Sequence, residues 1–289
     1  MAYLALIETE FPLLLLSISL LFGLLIGSFL NVVIHRIPIM LQREWDYQAK
    51  EILELSTDVE PEAFNLVFPN SHCPHCNHAI KAWENIPLLS YSFLKGKCSS
   101  CKSPISVRYP MIELLTGILT AMVIMIIGAN LTGLVCCLLT WALIALALID
   151  YDHKILPDDI TLPFIWLGLI VNYFALVTSF SNAFWGAIMG YLSLWIVYQV
   201  FKLVTGKEGM GFGDFKLLAL LGAWMGWQLL PLIIILSSLA GAIIGGGLIF
   251  FGRDRTNPIP FGPYLAIAGW IALMWGQEIT LAYLKFTAF

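Results

Sequence analysis

The chain has 289 residues, of which 59% are hydrophobic and only 12% are charged, and its formal net charge is −4. A mean hydropathy of +0.85 is far above that of water-soluble globular domains, so the composition excludes a soluble enzyme or a soluble binding module. The acidic and basic residues share the same loops, which gives no support to nucleic-acid binding.

Apolar stretches recur along the whole chain. A hydrocarbon core of roughly 30 Å requires about 20 helical residues, and eight stretches approach that length, the sixth being the shortest. The predicted spans are Phe11–Ile34, Met111–Gly128, Leu131–Ile149, Ile160–Thr178, Ala183–Val204, Phe215–Trp227, Leu229–Phe251 and Pro260–Leu284. We therefore expect an all-α polytopic membrane protein with about eight transmembrane helices in a lipid bilayer.

The basic residues predict the orientation of these spans. All 15 Lys and Arg except Lys285 fall on one face of the predicted bundle, and basic residues accumulate on the cytoplasmic side of membranes. Both termini are therefore predicted outside. The stretch Met1–Glu10 contains no basic residue, so we interpret the first apolar stretch as a retained membrane segment rather than a signal peptide.

Polarity divides the chain into three predicted domains: residues 1–35 form the first transmembrane segment, 36–109 a small cytoplasmic domain, and 110–289 the membrane bundle. An amphipathic helix is predicted around Arg43–Leu55. Within the bundle, polar residues concentrate in three cytoplasmic connections, where function is expected. These are Asp150–Asp159, Lys202–Lys216 and Arg253–Pro258.

Four cysteines of the polar segment form two Cys-x-x-Cys pairs. Cys73 and Cys76 are followed, after 21 intervening residues, by Cys98 and Cys101. This spacing is typical of a tetrahedral zinc site, and disulfides are not expected in the cytoplasm. Four thiolates leave no open position for a water molecule, so the zinc is predicted to be structural. The nearby histidines, interpreted as solvated loop residues that could replace a thiolate, are His72, His75 and His78.

Carboxylates stand at two predicted membrane boundaries. Asp150 ends span three, and Asp214, within Gly211-Phe-Gly213-Asp214, opens span six on the same face. Acids at membrane depth are costly and are usually functional or paired. Two facing carboxylates share one proton, so one member can activate water while the other donates to a peptide carbonyl. The sequence predicts an aspartyl protease, without a fixed role for either aspartate.

Simpler interpretations remain open for the acids. Asp158 and Asp159 fit the N-cap of span four. Asp214 could pair with Lys216 or cap its helix, and Asp150 taken alone could be an interfacial loop carboxylate. The stretch Pro258–Pro263 is either a helix start with proline in its first turn or a loop that lines the cleft.

The motifs, in this order, resemble those of the type IV prepilin peptidase family, and the resemblance covers nearly the whole chain. They are Gly27-Ser-Phe-Leu-Asn31 continuing to His35-Arg36-Ile-Pro38, the two Cys-x-x-Cys pairs, Arg108-Tyr-Pro-x-x-Glu113-Leu, Asp150 seven residues before Pro157-Asp158, Gly211-Phe-Gly213-Asp214, and Pro260-Phe-Gly-Pro263.

This resemblance implies a bifunctional enzyme of the bacterial inner membrane with its active site facing the cytoplasm. Such an enzyme cleaves the short basic leader of type IV prepilins and type II secretion pseudopilins, with Asp150 and Asp214 as catalytic residues. It then methylates the new N-terminal amine, generally that of a phenylalanine, with S-adenosylmethionine as donor.

No glycine-rich dinucleotide-binding fingerprint is present in the sequence. By resemblance, the candidates for the methyl-donor site are Asn31, Arg36, Arg108 and Glu113. Arg36 and Arg108 also fit as positive-inside anchors, and Asn31 as an interhelical hydrogen-bonding residue. Glu113, just inside span two, is expected to pair with Arg108 or Arg36.

Two other classes of function would also use a membrane bundle with acids at one boundary. A proton-coupled transporter could use the acids as a relay, but it would need polar groups toward the far face, which spans two to eight almost lack. A non-catalytic assembly scaffold would keep its function after Asp150→Asn or Asp214→Asn at normal abundance, whereas an enzyme would lose activity.

Overall fold

The structure, a computed structural model, describes residues 10–54, 64–250 and 259–287. Its described part contains helices and two isolated β-bridges but no strand, which confirms the predicted all-α class. The α-helices, labelled α1 to α9 in chain order, are Pro12–Ile52, Leu89–Phe93, Arg108–Ile127, Leu131–His153, Asp158–Tyr173, Phe180–Thr205, Phe212–Met225, Leu230–Phe250 and Gly262–Thr287. The predicted cytoplasmic stretch Arg253–Pro258 and residues 1–9 lie outside the described residues.

Six of the described helical segments are long and apolar enough to cross a membrane: α1, α3, α4, α6, α9 and Trp227–Leu248, which contains most of α8. The remaining two predicted spans form shorter helices. With 16 residues in α5 and 14 in α7, they measure about 24 and 21 Å. The protein is therefore a multi-pass membrane protein.

The chain forms two compact units, Met1–Ala129 and Asn130–Phe289. In the first unit, α1 packs against α3 with close backbone approach. A Cβ added at Gly27 would lie 2.7 Å from Glu113 Cα, and one at Gly23 would lie 2.8 Å from Gly117 Cα. Small residues at a helix crossing permit such packing within membranes.

Helix α1 runs without interruption for 41 residues, about 60 Å. The predicted end of the first span at Ile34 is therefore not the end of the helix, and the predicted amphipathic helix is its continuation. Pro38 lies inside the helix. Residues 41–52 include many strong helix formers, which explains why the helix continues beyond the predicted membrane edge.

In the second unit, α7 is enclosed by its neighbours. Eleven of its 14 residues are buried, as expected of a helix that is apolar on all sides. The crossing of α6 and α7 is close enough that a Cβ on Gly186 would overlap the backbone of Gly222, and the reverse.

A buried side-chain amide links the C-terminal ends of α5 and α7. Asn172, which is fully buried, donates from Nδ2 to the carbonyl oxygens of Ala223 and Trp224 at 2.9 Å each. Its Oδ1 accepts from the backbone nitrogens of Val177 and Thr178 at 3.2 and 2.8 Å. One side chain thus supplies hydrogen-bond partners to two carbonyl oxygens in the last turn of α7 and to two backbone nitrogens after α5. These bonds explain why α5 ends at Tyr173 and not at the predicted Thr178.

Candidate active site and metal centre

Asp150 lies in the last turn of α4 and is only 6% exposed. Its Oδ2 accepts a hydrogen bond from the backbone nitrogen of Gly262, the first residue of α9, at 3.0 Å. A Cβ at position 262 would lie 2.6 Å from that oxygen. The first amides of a helix have no partner within the helix, so the Gly262 amide is available to Asp150. A side chain at position 262 would collide with the carboxylate, so the contact requires glycine there.

Asp214 lies in the first turn of α7 and is 8% exposed. Gly211 precedes α7 in an extended conformation and its backbone hydrogen-bonds to the Asp214 carboxylate. A Cβ at Gly213 would lie 2.8 Å from the Cβ of Leu156, so the glycine allows the chain before α5 to pack against α7. The carboxylates of Asp150 and Asp214 are close enough to interact electrostatically. The structure therefore brings the predicted pair together within one unit.

An ion pair that the sequence did not predict lies beside Asp214. Lys216 Nζ donates to both carboxylate oxygens of Asp158 at 2.7 Å. The N-cap residue of α5 is Pro157, and no side-chain capping bond is present there. The interpretation of Asp158 and Asp159 as the N-cap is therefore wrong. Lys216 therefore has Asp158 as its partner. The signal in the sequence was a lysine two residues after Asp214 together with an acid at the start of α5.

The four predicted cysteine ligands meet in the first unit, where their sulfur atoms all lie within 4.8 Å of one another. Cys73 Sγ lies 3.8 Å from Cys101 Sγ, and Cys76 Sγ lies 4.0 Å from Cys98 Sγ. Thiolates at about 2.3 Å from a central tetrahedral ion would be separated by about 3.8 Å. The cluster therefore fits a single four-coordinate metal ion.

The two Cys-x-x-Cys turns have matching backbone geometry. In the first, the amide of Cys73 donates to the His78 carbonyl and the amide of Asn77 donates back to Cys73, both at 2.9 Å. In the second, Cys98 donates to Ser103 at 2.9 Å and Lys102 donates back to Cys98 at 3.1 Å. Asn77 and Lys102 occupy the same position in each turn and both have left-handed φ, 56° and 61°.

Local hydrogen bonds prepare some of these thiols to ionise. Backbone hydrogen bonds with His75 and Cys76 lower the pKa of Cys73 to about 6, and hydrogen bonds with Ser103 lower the pKa of Cys101. For Cys76, a backbone bond with His78 acts in the same direction, but burial and the neighbouring thiols raise its pKa to about 11. A cation at the centre would stabilise all four thiolates.

The first unit also contains a cavity of about 540 Å³, within the size range of small-molecule sites. One wall is a face of α1 whose residues follow helical spacing. A second wall is the start of α3, including Tyr109 and Glu113. The remaining walls come from the two cysteine turns, the segment between them and the residues just before the first turn. The lining residues from α1 are Ser28, Asn31, Val32, His35 and Arg36. Sequence reasoning missed Ser28 and His35, although polar residues at i, i+3, i+7 and i+8 could have revealed the stripe.

Three of the four residues predicted for the methyl-donor site line this cavity: Asn31, Arg36 and Glu113. Arg108, the first residue of α3, is exposed and is not among the lining residues. Asn31 Nδ2 donates to the Tyr109 carbonyl oxygen at 3.2 Å, so it does hydrogen-bond between helices while facing the cavity.

Glu113 has a different partner from the expected arginine. Its Oε2 accepts from the backbone nitrogen of Leu88 at 2.9 Å, and its carboxylate also hydrogen-bonds with Ser28. The Arg36 guanidinium instead donates to the carbonyl oxygens of Asn65 and Pro69 at 2.8 and 2.6 Å. The expected pairing of Glu113 with Arg36 is therefore wrong. Sequence spacing could not reveal the Leu88 contact, which depends on a left-handed backbone at φ 57°.

Each of the two units matches a known protein-family model over most of its length. Residues 21–127 match the bacterial peptidase A24 N-terminal domain, and residues 137–246 match the type IV leader peptidase family. The cysteine cluster and the cavity lie within the first match, and both aspartates lie within the second. The chain thus belongs to a class of multi-pass membrane peptidases, and specifically to the type IV leader peptidase family.

Relatives match over almost their full length. The chain is 57% identical to a prepilin leader peptidase/N-methyltransferase from Stutzerimonas stutzeri, over 95% of this chain and 96% of the relative. It is 56% identical to the protein of that name from Pseudomonas aeruginosa, over 96% of each chain, and 54% identical to the one from Aeromonas hydrophila, over 94% of this chain and 95% of the relative. No solved structure matches the chain.

Proposed function

We propose that this protein cleaves the leader peptides of type IV prepilins and type II secretion pseudopilins and then methylates the new N-terminal amine. The names of its relatives, prepilin leader peptidase/N-methyltransferase, support both activities. The observation that carries the proposal is the pair of buried carboxylates, Asp150 on α4 and Asp214 on α7, within one compact unit. The transporter alternative has no support from the comparisons.

The geometry suits general acid–base hydrolysis. Two interacting carboxylates hold one proton between them, so the ionised member can take a proton from a water molecule that attacks the scissile carbonyl. The protonated member donates its proton to the carbonyl oxygen, which gives a diol. The member that took the proton from water then gives it to the leaving amine, and the first member takes back a hydroxyl proton as the C–N bond breaks. The Gly262 amide stabilises negative charge on Asp150 Oδ2, and Asp214 keeps its backbone contact with Gly211.

The site is proposed to face the cytoplasm of a bacterial inner membrane. Asp150 and Asp214 stand at the ends of α4 and α7 that adjoin Lys154 and Lys216, and basic residues mark the cytoplasmic side. A basic leader waiting at that face would reach both carboxylates. Residues 1–35, 36–109 and 110–289 are proposed as anchor, cytoplasmic domain and peptidase bundle.

Zinc is the ion proposed for the cysteine cluster, because four thiolates in tetrahedral arrangement favour it. Cys73, Cys76, Cys98 and Cys101 would hold it, and it would stabilise the cytoplasmic segment rather than take part in catalysis. S-adenosylmethionine is the proposed methyl donor. The residues proposed to bind it are Asn31, Arg36 and Glu113 in the cavity, with Arg108 at the adjoining start of α3.

The proposed function is tested with detergent-purified protein and a prepilin substrate. The wild type, Asp150→Asn and Asp214→Asn are compared, and the product mass is determined with and without S-adenosylmethionine. Asp159→Asn, which removes an exposed carboxylate from the neighbouring helix start, is the matched control.

We expect the wild type and Asp159→Asn to cleave the prepilin, and Asp150→Asn and Asp214→Asn not to cleave it. When S-adenosylmethionine is present, the product should gain the mass of one methyl group. Normal cleavage by Asp150→Asn or Asp214→Asn would contradict the two-aspartate mechanism. A product that stays unmethylated under all conditions would contradict the second activity.

A further inference from the structure

The cavity of the first unit contains a buried carboxylate without a cationic partner. Glu113 is 9% exposed, and its partners, the Leu88 amide and the Ser28 side chain, are both neutral. In the described part of the chain, no basic side chain forms an ion pair with it. Removing a carboxylate from water without an opposite charge is costly.

The other charged groups that line the cavity are already engaged. The Arg36 guanidinium donates to two backbone carbonyl oxygens and lies 5.7 Å from the centre of the Phe64 ring. Glu84 accepts from the Lys81 amide at 2.8 Å and lies 3.5 Å from His78 Nε2. Glu113 thus differs from Glu84, the second acid of the cavity, because no basic side chain of the described residues lies within ion-pair distance of it.

We infer that Glu113 is the binding group for a cationic centre of the ligand that occupies this cavity, either a primary ammonium or a sulfonium. A bound cation would supply the missing counter-charge through a charge-assisted contact. The inference rests on the proposed function, which brings three such centres to the protein: the sulfonium and the ammonium of S-adenosylmethionine and the new N-terminal amine of the cleaved product.

Isothermal titration calorimetry on the full-length protein in detergent tests this inference. Wild type, Glu113→Gln and Glu84→Gln are titrated with S-adenosylmethionine and with S-adenosylhomocysteine, which retains the ammonium but lacks the sulfonium charge. Glu113→Gln keeps an oxygen to accept from Leu88 and removes the negative charge. The KM of methyl transfer to a peptide with the mature N-terminus is measured on the same samples.

The result identifies the cation. Weaker binding of both compounds by about 10- to 100-fold, the loss expected for a charge-assisted hydrogen bond, assigns Glu113 to the ammonium that the two compounds share. Weaker binding of S-adenosylmethionine alone assigns it to the sulfonium. Unchanged binding of both with a KM for the peptide raised by the same factor assigns it to the N-terminal amine. Glu84→Gln is expected to resemble the wild type in every assay.

The inference is overturned if Glu113→Gln binds both compounds and the peptide as the wild type does, or if Glu84→Gln shows the same losses. Thermal unfolding checks that the variants are folded, and Glu113→Asp, which keeps the charge, should retain more affinity than Glu113→Gln. Failure of the proposed function gives a different result, since the wild type itself would then bind no donor and transfer no methyl group.

Discussion

Lys216 on α7 and Asp158 on α5 form an ion pair in which one ammonium contacts both carboxylate oxygens at 2.7 Å. Lys216 is two residues after Asp214, and the segment before Asp158 begins at Lys154, whose amide donates to the Asp150 carbonyl oxygen at 2.9 Å. Leu156, in the same segment, packs on Gly213. The ion pair therefore ties the chain that follows Asp150 to the helix that carries Asp214.

Breaking this pair should impair the proposed peptidase reaction more than it impairs folding. Lys216→Met or Asp158→Asn is expected to lower the turnover number of leader cleavage about tenfold or more, because small displacements of reacting groups are costly. The free energy of unfolding should change by no more than about 1 kcal/mol, since the pair is partly exposed. Cleavage kinetics and thermal unfolding measure the two effects.

The charge-exchanged variant, Asp158→Lys combined with Lys216→Asp, is the control for this prediction. It restores an ion pair of opposite direction and should recover part of the lost turnover. If it cleaves no faster than the single variants, the pair does not act by positioning Asp214.

A methyl group at residue 262 should disturb Asp150. The added Cβ in Gly262→Ala would lie 2.6 Å from Asp150 Oδ2, so either the carboxylate or the start of α9 must move. We expect leader cleavage to fall about 10- to 100-fold, measured as the initial rate on a prepilin substrate. Gly246→Ala on α8 is the matched control, because nothing lies within 4 Å of the added Cβ there. Equal rates for the two variants would show that the Gly262 contact is not required.

The crossing of α6 and α7 should not accept a side chain. In Gly186→Ala the new Cβ would overlap the backbone of Gly222, which is less able to move than the end of a side chain. We expect a loss of stability of about 1–3 kcal/mol or more, seen as a lower unfolding temperature in detergent. Gly247→Ala, which meets nothing within 4 Å, serves for comparison. A shift no greater than that of the control would argue against such close contact in solution.

The cysteine cluster should hold one zinc ion per chain. Metal analysis of the purified protein is expected to find about one equivalent in the wild type and in Cys137→Ala, which replaces a buried cysteine of α4. Cys76→Ser and Cys98→Ser should lose most of the metal. Hydrogen exchange in the segment from Cys73 to Cys101 should accelerate in the two serine variants, because metal binding contributes folding free energy. Full zinc content in either serine variant would contradict the four-thiolate site.

Features that depend on local spacing were predictable from the sequence. Hydrophobic stretches of about 20 residues predicted the membrane helices, and the spacing from Cys73 to Cys101 predicted one cluster of four thiolates. Asp150 and Asp214 were recognisable because a carboxylate at membrane depth is energetically costly and is usually functional or paired. Their proximity in one unit is consistent with the predicted pair.

Features set by tertiary packing were not predictable. The end of α5 depends on Asn172, whose amide contacts the end of α7 about 50 residues away in sequence. The partner of Lys216 depends on how α5 meets α7, and the partner of Glu113 depends on the backbone conformation of Leu88. Composition and periodicity contain no information about such contacts between distant segments.

The continuity of α1 restricts where chains of this kind can change in length. Its five cavity-lining residues share one face over two turns, and every residue of an α-helix is rotated by about 100° from the one before. A single insertion between Asn31 and His35 would turn His35 and Arg36 away from the cavity while leaving Ser28 and Asn31 in place. Insertions and deletions among natural variants should therefore be absent between Ser28 and Arg36, even where the amino acids themselves differ.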